Sequence, residues 1–199
     1  MGVCMEGFFS AECMNSDDIE RAMTRMAHQI LEANKGAENL VLVGILTRGD
    51  ELAKKLRQRI YDIEGVELPL GVLDISFYRD DFATHFSPEV HSTSIPFSID
   101  GKTVVLVDDV LYTGRTIRAA LDALMDIGRP KAVQLAVLVD RGHRELPIRA
   151  DFVGKNVPSS ENQTVRLLLE EIDSVPSVVE ISDIPQGGHV GAAPIGSEA

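Results

Sequence analysis

The chain has no tryptophan, only two cysteines, and few aromatics: three tyrosines and seven phenylalanines in 199 residues. Both cysteines, Cys4 and Cys13, lie near the N-terminus and give no disulfide framework, so free thiols in a cytoplasmic protein are expected. So few aromatic rings leave no visible stacking platform for splayed nucleobases. No apolar run approaches the roughly 18–20 residues that span a bilayer, so no membrane partner is expected. Phe8 and Phe9 stand in an N-terminal stretch without a basic region, which does not read as a signal peptide. Basic residues are missing from both ends. Residues 1–20 hold five acids and residues 170–199 six, with no Lys or Arg in either. Of 31 acids against 19 bases, removing those eleven leaves 20 against 19, so the net charge of -12 is terminal. A basic face on the body remains open.

What is present is a chain of one-domain length whose apolar segments alternate between two periods. Residues 1–14 read as a flexible extension, 15–182 as the domain, and 183–199, rich in Gly, Pro, Ala and Ser, as a flexible tail. Ser16 is the expected N-cap of a first helix, with Asp17, Asp18 and Glu20 complementing its dipole. Ile19, Met23, Met26, Ala27, Ile30 and Leu31 form its apolar stripe, and Lys35-Gly36 closes it. Strands are expected over 40–46, 68–75, 132–139, 151–153, 165–169 and 178–181. A second helix carries Leu52, Leu56 and Ile60. A third turns Ile117, Ala120, Leu121, Leu124 and Met125 inward. This alternation predicts an α/β fold, a mostly parallel twisted sheet flanked by helices, with ligands beyond the carboxyl ends of the strands.

One stretch organises the rest. Val104-Val105-Leu106-Val107 reads as a strand buried on both faces, ending in Asp108 and Asp109. Val110, Leu111, Tyr112, Thr113, Gly114, Arg115 and Thr116 then turn into a helix whose first N–H groups lack intrahelical partners. Acids for diol hydroxyls beside a cradle for phosphate suit a ribose 5-phosphate. The thirteen residues resemble the phosphoribosyl-pyrophosphate (PRPP) signature of the type I phosphoribosyltransferases, and Thr47-Arg48-Gly49 resembles that family's pyrophosphate loop. Tyr78-Arg79-Asp80-Asp81 resembles its mobile flap. Together with Arg21 to His28, Leu138 to Pro147 and Val153 to Pro158, these motifs are similar to the PyrR family. Members of that family are pyrimidine-operon attenuation regulators with uracil phosphoribosyltransferase activity.

The resemblance implies a phosphoribosyltransferase fold with a small hood region, and the catalytic set Asp108, Asp109, Arg48 and Arg79. It implies PRPP contacts from Thr47, Arg48, Gly49 and Asp108 through Thr116, and uracil contacts from Arg141, Lys155 and Val157. Mg²⁺ would be held mainly by PRPP near Asp108 and Asp109, with no direct protein ligand. Further partners would be UMP or UTP, pyrimidine-operon leader mRNA, and a second or further copy of the chain. The RNA face would comprise Thr24, Arg25, His28, His143, Arg144 and Lys155. The flap region departs from the family pattern, carrying His85 and His91 in place of lysines. Tyr112 stands where purine-using relatives carry an acid, which favours a pyrimidine. A salvage transferase for uracil or a purine, without an RNA role, is the alternative.

Overall fold

The structure is a computed structural model and describes residues 9–78 and 93–184. Ser10–Met14 form β1 and Ser16–Asn34 form α1. Leu40–Ile45 (β2) and Arg48–Glu64 (α2) follow, then Leu70–Leu73 (β3) and a 3₁₀ turn at Ser76–Tyr78. Thr103–Leu111 (β4), Arg115–Ile127 (α3) and Ala132–Asp140 (β5) complete the signature region. Phe152–Asn156 (β6), Gln163–Leu168 (β7), Glu170–Asp173 (α4) and Val178–Asp183 (β8) end the described chain.

The main sheet has the order β3-β2-β4-β5-β6, and every neighbouring pair runs parallel. Strand alternation divides its side chains between two cores. Leu42, Val105, Val107, Ala136 and Leu138 pack with α1 and α2, whereas Val43, Ile45, Val104, Leu106 and Val137 pack with α3. The four-residue apolar run of β4 is fully buried because both faces of the sheet are covered.

A second, antiparallel sheet of order β1-β8-β7 packs on the α1 side and forms the expected hood region. Here the boundary of the domain moves. Residues 10–14 are a strand rather than part of a loose extension, paired from Ser10 with Ser182 to Met14 with Val179. Its side chains alternate only over Ser10 to Cys13, too short a run to stand out, before a bulge between Glu12 and Met14 shifts the register. At the other end, Asp183 still belongs to β8, and its backbone N–H donates to the Phe9 carbonyl.

Two local expectations change. The N-cap of α1 is Asn15, not Ser16. Its side chain accepts from the Asp18 amide and Asp18 answers on the Asn15 amide, a reciprocal capping box. On α3 the buried set is Ile117, Ala119, Ala120, Ala123 and Leu124, while Met125 is exposed. The buried stripe is rotated towards Ala119 and Ala123.

Candidate functional site

Two helices start at the carboxyl edge of the parallel sheet, and both start differently from α1. Neither Thr47 ahead of α2 nor Gly114 ahead of α3 gives a side-chain cap. The Arg115 amide donates to Thr113 Oγ1 at 3.3 Å, and the positive ends of both helices favour an anion nearby. Gly49 allows one of them to sit where it does: a Cβ there would lie 2.4 Å from the Val107 carbonyl oxygen. Backbone fills that space, so the α2 terminus lies directly against β4 at the acid pair. Gly114 has φ +93°, in the left-handed region, and Leu146 and Ile148 pack beside it.

The loop between β4 and α3 is built from outside as well as within. Thr113 accepts on its carbonyl from the Glu145 and Leu146 amides, and Arg115 Nε donates to Glu145 at 2.6 Å. Arg144 is the larger brace. Its guanidinium donates to the carbonyls of Tyr112 (2.8 Å), Gly142 (3.0 Å) and Ile148 (3.0 Å), and it pairs with Asp140. An arginine so occupied fastens the β4–α3 loop to the turn after β5.

β4 continues through both acids to Leu111, and alternation gives the carboxylates different surroundings. Asp108 is buried and accepts from the Asp109 amide at 2.9 Å. Asp109 accepts from the Val110 amide at 2.7 Å and lines a cavity of about 510 Å³. Burial raises the Asp109 pKa above its ordinary value, opposed by the Val110 amide and by the positive charge of Arg48.

That cavity also receives Arg48, Val110, Tyr112 and Arg141, and residues 164–168 of β7 wall its far side. Arg48 donates from Nη2 to Asp173 at 2.8 Å, while its Nε is buried without a protein partner. Arg141 is buried and spends its donors on its own chain: Ser159 Oγ at 3.0 Å, Ser160 O at 3.0 Å and Gln163 O at 2.7 Å. Its guanidinium carbon lies 4.1 Å from the centroid of the Tyr112 ring. Burial lowers its pKa, and Tyr112 opposes the shift.

The other predicted residues separate. Val157 is buried, and its amide donates to the Asp140 carbonyl. Lys155 reaches away to the Cys13 carbonyl at 2.7 Å, on the α1 side. Arg25 donates to the Gly154 carbonyl, so Arg25 and Lys155 sit beside one another across α1 and β6. Thr24, Arg25 and His28 share an exposed face of α1 and line a shallow surface hollow with Glu20, Arg21, Gln29 and Glu32. His143 sits at φ +58° with its ring nitrogen on the Ser159 carbonyl and its ring edge-on to Tyr112. Arg79 lies outside the described residues, as do His85 and His91.

Two parts of the site were not among the sequence candidates. The β7 wall was expected as a strand but not as a lining. Asp173 gave no signal, because its role depends on a pairing across 125 residues.

Comparison with known proteins gives the same layout a context. The phosphoribosyl transferase domain family matches residues 14–170. The chain is 62% identical over 170 residues to the "Bifunctional protein PyrR" of Pelotomaculum thermopropionicum, covering 85% of this chain and 94% of that protein. It is 61% identical to the protein of that name from Thermus aquaticus (83% and 92% covered) and 55% identical to that of Deinococcus radiodurans (87% and 94%). Among solved structures, a hypoxanthine phosphoribosyltransferase from Staphylococcus aureus superposes with a TM-score of 0.63 at 21% identity, covering 89% of this chain and 93% of that one. At that identity the likeness is one of fold.

Proposed function

This chain belongs to the PyrR family of phosphoribosyl transferase domain proteins, and from that premise we propose that it makes UMP and pyrophosphate from uracil and PRPP and binds pyrimidine-operon leader mRNA in response to uridine nucleotides. The observation that carries the enzymatic half is the cavity shared by Asp109 near the end of β4 and Arg48 at the start of α2, with β4 running on into the loop that opens α3.

In this reading the amides of the β4–α3 loop, with Thr113 and Thr116, take the 5-phosphate. The Thr47–Gly49 turn takes the pyrophosphate, and Arg48 neutralises charge as the bond at C1 breaks. Asp109 accepts from the ribose hydroxyls and faces the positive charge that develops on the sugar. Asp108 holds the Asp109 amide and thereby the shape of the strand end. A uracil ring then lies towards Tyr112 and the turn after β5, where the buried Arg141 shapes the loop that backs it. The reaction is mainly one of positioning, since the base nitrogen is the nucleophile and the sugar arrives activated.

No cluster of three or more His, Cys, Asp or Glu side chains exists among the described residues to form a resident metal site. The cavity-facing Asp109, with Asp108 beside it, instead fits a hydrated Mg²⁺ that arrives on the pyrophosphate. Bound there, Mg²⁺ would offset negative charge on the leaving group.

The regulatory half rests on the family and on the exposed Thr24/Arg25/His28 face with Lys155 beside it. Such a face suits phosphates and the edges of single-stranded bases. The test is a gel-shift titration of purified protein on pyrimidine-leader RNA, with and without UMP. Tighter binding with UMP supports the reading; identical binding in both conditions, or none, refutes it.

A further inference from the structure

The cation assigned to the leaving group is not held by its own helix. Asp173 Oδ1 accepts from Arg48 Nη2 at 2.8 Å, and Asp173 Oδ2 accepts from the Leu169 amide at 2.8 Å. The Asp173 amide donates to the Leu169 carbonyl at 2.7 Å. Both carboxylate oxygens are therefore fixed, one to the Leu169 amide just ahead of α4 and the other to Arg48. Arg48 and Asp173 line the same cavity of about 510 Å³ as Asp109. Arg48 Nε is buried without a protein partner, so among the described residues the bond to Asp173 is the one hydrogen bond the guanidinium makes.

We propose that Asp173 is a positioning residue for the phosphoribosyl transfer, holding Arg48 at the pyrophosphate end of the cavity so that its other donors face the leaving group. This rests on the reading of Arg48 as the leaving-group cation. An unheld arginine carries several rotatable bonds and would lose that freedom only on binding PRPP; the Asp173 pair removes it beforehand. A second ion pair ties the same short helix to α2 without entering the cavity: Lys55 Nζ lies 2.8 Å from Glu171 Oε1. Lys55 and Arg48 are seven residues apart, so they lie on one face of α2 and grip α4 at two points. Glu171 thus provides a control for loosening α4 without touching Arg48.

The experiment measures the KM for PRPP and for uracil in UMP formation for the full chain and for Asp173→Ala, Glu171→Gln, Arg48→Ala and the double variant Asp173→Ala/Arg48→Ala. Direct binding of PRPP with Mg²⁺ by calorimetry is the second readout. The expected result is a rise of about five- to tenfold in the PRPP constant for Asp173→Ala, with the uracil constant unchanged. Glu171→Gln should leave both constants as they are, and Asp173→Ala should add nothing once Arg48 is gone. An equal effect from Glu171→Gln would mean that loosening α4 suffices, and would overturn the proposal. So would tighter PRPP binding in Asp173→Ala, or effects of the two substitutions that simply add. If the unaltered chain turns over uracil and PRPP yet shows no coupling, only this proposal fails. If it neither binds PRPP nor forms UMP, the underlying reading of the site fails with it.

Discussion

The guanidinium of Arg141 lies against the Tyr112 ring, 4.1 Å from its centroid, and so joins the turn after β5 to the loop between β4 and α3. The same guanidinium donates to Ser159, Ser160 and Gln163. Arg141→Met keeps much of the stem but leaves those acceptors without their donor in a half-buried place. The expected loss is about 2–3 kcal/mol of unfolding free energy, read from the urea midpoint. A stability within about 0.5 kcal/mol of the parent would show that the 159–163 loop does not depend on this residue.

Gly49 is limited by space rather than by its backbone angle. Its added Cβ would meet the Val107 carbonyl oxygen at 2.4 Å, and backbone cannot move aside as a side-chain tip can. Gly49→Ala should cost about 1–3 kcal/mol and lift the α2 terminus away from the acid pair, so that PRPP use falls more steeply than stability. Unchanged kinetics in a folded Gly49→Ala protein would remove the close approach from the account.

Asp109 should mark the pH dependence of stability. Burial raises its folded pKa above the ordinary value of 3.8, so the native state binds this proton more tightly than the unfolded chain does. Its penalty is absent below the unfolded value and grows as pH climbs through the folded one. Asp109→Asn keeps an oxygen for the Val110 amide but cannot ionise. Its stability relative to the parent should therefore improve as pH rises from the unfolded value through the folded one and then level off, measured by urea unfolding across the acid range. A relative stability that falls with rising pH would mean the carboxylate is stabilised in the fold, not penalised.

The proposed RNA face should divide into contact and brace. His28 is exposed on α1, so His28→Ala should weaken leader RNA with no change in melting temperature. Arg144 instead bonds the carbonyls of Tyr112, Gly142 and Ile148, so Arg144→Ala should lower the melting temperature and PRPP affinity together with RNA binding. An Arg144→Ala protein that loses only RNA affinity would return that residue to the contact surface.

These divisions show where sequence is informative. Val104 to Val107 announces a strand covered on both faces because burial on two sides demands an unbroken apolar run, and α1 announces itself through its stripe. The thirteen-residue signature and the Thr47–Gly49 turn were legible because strand, turn and helix start are local. What was not legible is long-range. Nothing in a sequence says whether Arg141 and Arg144 face a ligand or their own chain's carbonyls, and here both bond the chain. β1 was hidden by its shortness and by partners at the far end of the chain, and Asp173 by the distance in sequence to its partner Arg48.

The most direct measurement is UMP formation from uracil and PRPP with Mg²⁺ by the purified chain, compared with hypoxanthine and guanine as acceptors and with Asp109→Asn as the altered site. The account predicts turnover with uracil well above that with either purine, and a loss of about 100-fold or more in kcat/KM for a folded Asp109→Asn protein. No UMP from the unaltered chain, faster turnover of a purine, or full activity in Asp109→Asn would contradict it.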